Sequence, residues 1–187
     1  MRVDNIVKQV ATLLAKEELG EYLENGTSVD ISQTKKDKEL IVDCLNNLLS
    51  ELCTAQVKLK AEEEMSPRDK KVFYKDFSQR LISIKSIKTL DDKSVKYDIF
   101  PTYIRLYDDK KVIVEYNYLP KKVEYDDQVE VGSPRITEQI LCYGTLAEYC
   151  LATALYEEAV TWRQKYEKSL TNALYSQNYR IKGRVFQ

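Results

Sequence analysis

The chain is predicted to be α+β and mainly helical: a bundle of about four helices with an inserted small antiparallel β-sheet and hairpin, and a C-terminal tail. Three observations predict it. Apolar residues keep helical spacing through the N-terminal third and again from Arg135 to Gln177. Between these stretches the period falls toward two. Both changes of period lie beside a proline, Pro67 and Pro134, where the preceding residue is biased away from helix.

In the first segment Val3, Ile6, Val7, Val10, Leu13 and Leu14 recur at one helical face, with Lys8, Gln9 and Lys16 elsewhere on the wheel. This predicts a first helix of about four turns. Asn25-Gly26 then gives a turn, and the polar run from Thr27 to Lys38 reads as a loop ending in a variant capping box, Thr34 with Asp37. The second helix follows from about Lys36 to Glu62, striped by Leu40, Ile41, Cys44, Leu45, Leu48, Leu49, Leu52, Ala55 and Leu59. The helical body thus takes residues 1–65 and resumes at 132–178.

Residues 66–131 form the β-rich insert. Ile82 and Ile84 alternate with Ser83 and Lys85, and Asp91-Asp92-Lys93 makes a turn between strands near Arg80–Lys88 and Ser94–Ile99. Thr102 to Tyr118 reads as the clearest hairpin, turning at Asp108-Asp109-Lys110. Val112, Val114, Tyr116 and Tyr118 share one face of its second strand, and Lys111, Ile113, Glu115 and Asn117 the other. The C-terminal stretch is too long for one helix in a domain of this size, since it would span about 64 Å at the usual rise. A break near Leu155-Tyr156-Glu157 into an antiparallel pair follows, with Gly144, Ala147 and Ala154 allowing close approach. Trp162 and Tyr166 lie on the apolar stripe and read as core. Residues 179–187 form the basic tail, where Tyr179, Ile181 and Val185 alternate with Arg180, Lys182 and Arg184 in a strand-like pattern.

Composition narrows the function classes. The 187 residues, 43% hydrophobic and 32% charged with five Gly and four Pro, describe one globular core with an elaboration rather than a disordered chain. A formal charge of −1 gives no global attraction for nucleic acid or an anionic membrane. No long apolar run or signal-peptide core is present, so cytoplasmic synthesis is expected. The four cysteines, Cys44, Cys53, Cys142 and Cys150, are too widely spaced for a metal knuckle and fall within apolar helical patterns, which predicts buried free thiols.

Histidine is absent from the chain, which excludes Ser-His and Cys-His nucleophile arrangements. No phosphate-cradling glycine motif occurs. Asp91-Asp92, Asp108-Asp109 and Asp126-Asp127 each sit at a turn, where Asp is favoured for backbone reasons, so they are read as turn formers rather than metal ligands. No catalytic residue, cofactor site or metal site is assigned. The compositional oddity is fourteen tyrosines against four phenylalanines and one tryptophan. Tyrosine suits half-buried sheets and interfaces alike. Tyr103, Tyr107, Tyr116 and Tyr118 on the hairpin, and Arg180, Ile181, Lys182, Arg184 and Val185 in the tail, are the candidate interface residues.

From the hairpin onward the chain resembles the head-to-tail adaptor (connector, or tail tubular A-like) proteins of tailed bacteriophages. The resemblance is carried by Tyr116-Asn117-Tyr118-Leu119-Pro120, Asp126-Asp127, Pro134, Tyr143-Gly144, Ala147-Glu148-Tyr149, Tyr156-Glu157-Glu158-Ala159 and Trp162-Arg163-Gln164-Lys165-Tyr166-Glu167. It implies a structural, non-enzymatic virion protein of the neck, assembled in the host cytoplasm. Such a protein docks under the portal as a closed ring, commonly a dodecamer, and extends the DNA channel to the tail proteins. Its partners would be other copies of itself, the portal, tail proteins and, non-specifically, DNA. Two other readings stand beside it. Leu155-Tyr156-Glu157-Glu158-Ala159 resembles a helical-repeat interaction module, although no period of about 34 residues recurs. A small carboxylate-dependent enzyme would need acids of perturbed pKa in a concave pocket.

Overall fold

The computed structural model describes residues 1–175, and the fold is α+β and mainly helical, with small antiparallel sheets. The helices are α1 (Val3–Leu13), α2 (Glu17–Asn25), α3 (Ile31–Ala55), α4 (Glu138–Ala152) and α5 (Tyr156–Tyr175). The strands are β1 (Leu59–Met65), β2 (Lys71–Phe73), β3 (Arg80–Thr89), β4 (Tyr97–Ile99), β5 (Tyr103–Leu106) and β6 (Val112–Leu119). Two compact units emerge, one of residues 1–3 and 46–133, the other of residues 4–45 and 134–187, of which the last twelve lie outside the described part. The division falls within α3.

In the helical unit, α1 keeps the expected stripe: Ile6, Val7 and Val10 are fully buried. Beyond Ala15, which adopts φ 52°, α2 forms where no helix is expected from the sequence. Its apolar signal is short, with Leu19 alone fully buried, and Gly26 at φ 72° closes it with an N–H to Tyr22 O bond of 2.9 Å. The start of α3 corrects the expected cap. Asp30, not Thr34, caps the helix, accepting from Gln33 N at 3.0 Å. Thr34 lies inside the helix and is buried, its hydroxyl turned back onto Asp30 O at 2.7 Å.

Pro134 precedes α4, which is capped by Thr137, its hydroxyl accepting from Ile140 N at 3.4 Å. Leu141, Cys142, Leu146, Tyr149 and Cys150 bury this helix on almost every side. The expected break arrives at Thr153, Ala154 and Leu155, with Ala154 at φ 61°. α5 then runs back along α4. Arg163 pairs with Glu148 at 3.1 Å, and Trp162 stacks on Tyr143 with ring centroids 5.7 Å apart. Tyr166 is buried as expected, whereas Trp162 is half-buried, with Lys165 Nζ 4.1 Å from its ring centroid. All four cysteines are buried free thiols.

The other unit departs most from expectation. Where the helical stripe was read on to Glu62, α3 ends at Ala55 and Leu59–Met65 becomes strand β1. Leu59 fits either period. What decides is the partner: β1 pairs antiparallel with β6 from Leu59↔Tyr118 to Met65↔Val112. The expected hairpin of β5 and β6 does not form. β6 is the central strand of a β1-β6-β3 sheet, and β5 is central in a separate β2-β5-β4 sheet. Lys70 draws the link away, its carbonyl accepting from Leu106 N at 2.7 Å and its N–H donating to Asp109 Oδ1.

β3 also differs from simple alternation. Its pairing with β6 shifts between Leu81 and Ser83 and again between Ile84 and Ser86. These two bulges place Leu81, Ile84 and Ile87 opposite Tyr118, Tyr116 and Val114, so a spacing of three faces a strand of period two. The turn after β3 lies where expected, closed by Asp92 N to Thr89 O at 3.0 Å and Val95 N to Ile87 O at 2.9 Å. The inner faces of the two sheets meet in one cluster: Met65, Ile87, Val112, Val114 and Tyr116 from the first, Val72, Ile104 and Leu106 from the second, with Phe77 between strands. The insert is therefore two small sheets around a shared core.

Candidate interaction surface

The outer faces of these two sheets differ in chemistry. On the β1-β6-β3 sheet three outward lysines are paired: Lys85 with Glu115 at 3.5 Å, Lys111 with Glu64 at 2.8 Å, and Lys88 with Asp92 at 2.7 Å. Such exposed pairs add little stability and leave little net charge for a partner.

The outer face of the β2-β5-β4 sheet is aromatic and cationic. Register places Phe73 opposite Tyr103, and Lys71 and Asp98 on either side of Arg105. Phe100 stacks on Tyr103 at 4.8 Å between centroids and 12° between planes, and Phe73 meets Tyr103 at 5.9 Å. Lys71 Nζ lies 5.1 Å from the Tyr103 ring centroid, and Lys75 Nζ lies 5.7 Å from that of Phe73. Lys71 and Arg105, directly opposed on an antiparallel pair, repel each other. Tyr107, 66% exposed, donates its hydroxyl to Asp98 at 3.1 Å, and that hydrogen bond holds its pKa above the ordinary tyrosine value.

The four candidate tyrosines therefore separate. Tyr103 and Tyr107 belong to the aromatic–cationic sheet. Tyr118 lines a cavity of about 420 Å³ with Leu49, Leu59, Pro120, Lys121 and Lys122. Tyr116 is fully buried and donates its hydroxyl to Glu63, so its proposed contact role is corrected to a core role. Phe73, Phe100 and Lys71 were missed. Lys71 and Phe73 are distant in sequence from the tyrosines, their one local signal being the alternation around buried Val72, whereas Phe100 reaches Tyr103 through the turn between them, its N–H donating to Tyr103 O at 2.9 Å. The tail candidates Arg180, Ile181, Lys182, Arg184 and Val185 lie outside the described residues.

The aspartate pairs act at turns. Asp109 N bonds Asp108 Oδ1 at 2.8 Å, and Glu124 N bonds Asp127 Oδ2 at 2.7 Å. Among the described residues, no cluster of three or more potential ligands gathers to hold a metal ion, and no helix is long and apolar enough to cross a membrane. The cysteine thiols are poor nucleophiles where they stand: burial pushes Cys44 and Cys53 up to about 11 and Cys142 up to about 12. What the aromatic–cationic face offers is apolar ring area beside the positive charges of Lys71, Lys75 and Arg105. Comparison of the chain with protein-family models and with curated proteins returns no match.

Proposed function

We propose that the protein is a head-to-tail adaptor of a tailed bacteriophage, a structural component that assembles as a ring under the portal and continues the DNA channel to the tail. The observation that carries this reading is the outer face of the β2-β5-β4 sheet. Phe73, Phe100 and Tyr103 cluster there among Lys71, Lys75 and Arg105, an aromatic and cationic surface suited to contact rather than catalysis. A mainly helical α+β fold with small antiparallel sheets supports the layout that the adaptor resemblance implies.

In this reading Tyr103 and Tyr107 contact a neighbouring subunit or a tail protein, while Arg180, Lys182 and Arg184, with Ile181 and Val185 between them, form a second contact toward the portal or DNA. Electron microscopy of the purified protein, alone and mixed with a portal, tests the proposal. Closed rings that stack coaxially on the portal are expected; a monomer that ignores the portal overturns it. Tyr103→Ala with Phe73→Ala should weaken docking while the fold persists. Truncation after Gln177 that leaves both ring formation and portal binding intact would remove the tail from the reading.

A further inference from the structure

The helical unit carries an apolar groove. It lies between the end of α4 and the start of α5, encloses about 420 Å³, and is floored by Ala147 and Ala159 with Leu151, Tyr156 and Val160 along it. The last three are large apolar side chains exposed at 55%, 64% and 58%. Glu157 and Glu158 make the adjoining turn of α5 acidic. The Arg163 guanidinium at the groove is shared between Glu148 at 3.1 Å and Glu167 at 3.2 Å.

The same unit carries a feature of opposite character. Val29 and Ile31, at the entry to α3, are 93% and 55% exposed. Lys35 and Lys36 are exposed one turn further on. The nearby acids are engaged: Asp30 caps Gln33 N, and Asp37 is bonded to Lys16 and to Gln33 Nε2. The result is an apolar knuckle with a basic flank.

We propose that the α4–α5 groove receives the Val29–Ile31 knuckle of a second copy of this chain. Branched apolar side chains enter an apolar slot floored by alanines, and Lys35 and Lys36 approach the acidic first turn of α5 beside it. Groove and knuckle share no residue, so the contact is heterologous: each copy offers a groove to one neighbour and a knuckle to the other. Such a contact propagates until rotation closes it. The proposal deepens the ring reading and rests on it for the expectation that copies meet in series.

Disulfide trapping tests it directly, because the native thiols are buried. Val29→Cys and Val160→Cys proteins, each oxidised alone, should stay monomeric on a denaturing gel, their mixture should give a dimer, and the double variant a ladder. Absence of the mixed dimer, or self-dimers of either single variant, overturns the proposal. In parallel, Glu157→Lys with Glu158→Lys should weaken assembly by about tenfold or more in mass photometry, and Lys35→Glu with Lys36→Glu in the same chain should restore it. Failure of that rescue counts against the groove. Rings formed without trapping would sink the groove and spare the adaptor; a trapped ladder without closed rings would do the reverse.

Discussion

Tyr116 donates its hydroxyl to Glu63, a carboxylate on the core-facing side of β1, and this bond closes the edge of a core in which the Tyr116 ring is fully buried. Ser78 completes the site, donating to Glu63 through its N–H at 3.2 Å and through its hydroxyl. Phe77 meets the same ring edge-on at 4.8 Å. A glutamate is thereby accommodated on the inner face of a strand with its carboxylate hydrogen-bonded by neutral donors.

Both partners titrate away from their ordinary values. Burial first, and then the bond to Glu63, raise Tyr116 to about 12. Burial would raise Glu63, but the bonds from Ser78 and Tyr116 outweigh it and hold Glu63 below its usual range. The raised tyrosine contributes stability that is complete below about pH 10, the unfolded value, and is lost as pH rises toward 12. The depressed glutamate contributes above its unfolded value and loses that contribution as pH falls through its folded one. Tyr116→Phe should cost about 1 kcal/mol at neutral pH and flatten the alkaline loss. Urea melts of both proteins from pH 7 to 11 measure this.

The two bulges of β3 predict unequal isoleucines. Ile87, 1% exposed, faces Val114 across the sheet, and Ile87→Ala should cost about 2–4 kcal/mol. Ile82, half-buried at the first bulge, should lose less than half as much on the same change. Equal losses would contradict the observed register.

Three glycines should respond differently to alanine. At Gly132 an added Cβ would meet Lys58 O at 3.0 Å and Val57 Cγ1 at 3.1 Å, and a backbone carbonyl yields poorly, so Gly132→Ala should destabilise by about 1–3 kcal/mol. Gly26→Ala, at φ 72°, should cost about 1 kcal/mol. Gly20 has open space inside α2, and Gly20→Ala should stabilise by roughly 0.5–1 kcal/mol. Thermal melts of the three variants give the order.

The thiols provide a probe of integrity. All four are buried, so a colourless thiol reagent such as DTNB should develop no rapid colour with native protein and four equivalents after denaturation. Rapid reaction of even one thiol in the native protein would contradict the described cores.

Much of the helical unit was legible in the sequence. The α1 stripe, the break between α4 and α5 and the burial of the cysteines follow from a period of 3.6 that packing against any apolar neighbour satisfies. α2 was not legible, because nine residues with one fully buried side chain give too short a pattern. In the β unit the alternation of β6 was legible but its partners were not. Tyr107 to Lys111 looks like a hairpin turn whether the next strand folds back or passes to another sheet. The same limit hid the candidate surface. Tyr103 stood out by type, but Phe73 and Phe100 join it only because β2 pairs with β5 and the chain turns at Pro101.

By itself the sequence determined the class: a mainly helical α+β chain with its β segments in the middle, buried thiols, and no histidine chemistry. Local periodicity and composition suffice for these, since each depends on neighbours within a few residues. The tertiary structure alone decided that Leu59–Met65 is a strand, that β5 and β6 lie in different sheets, and that Tyr116 is core while Tyr103 stands half-buried on an outer sheet face. Those outcomes depend on which distant strand satisfies each backbone N–H and C=O, and that pairing is not written in any local period.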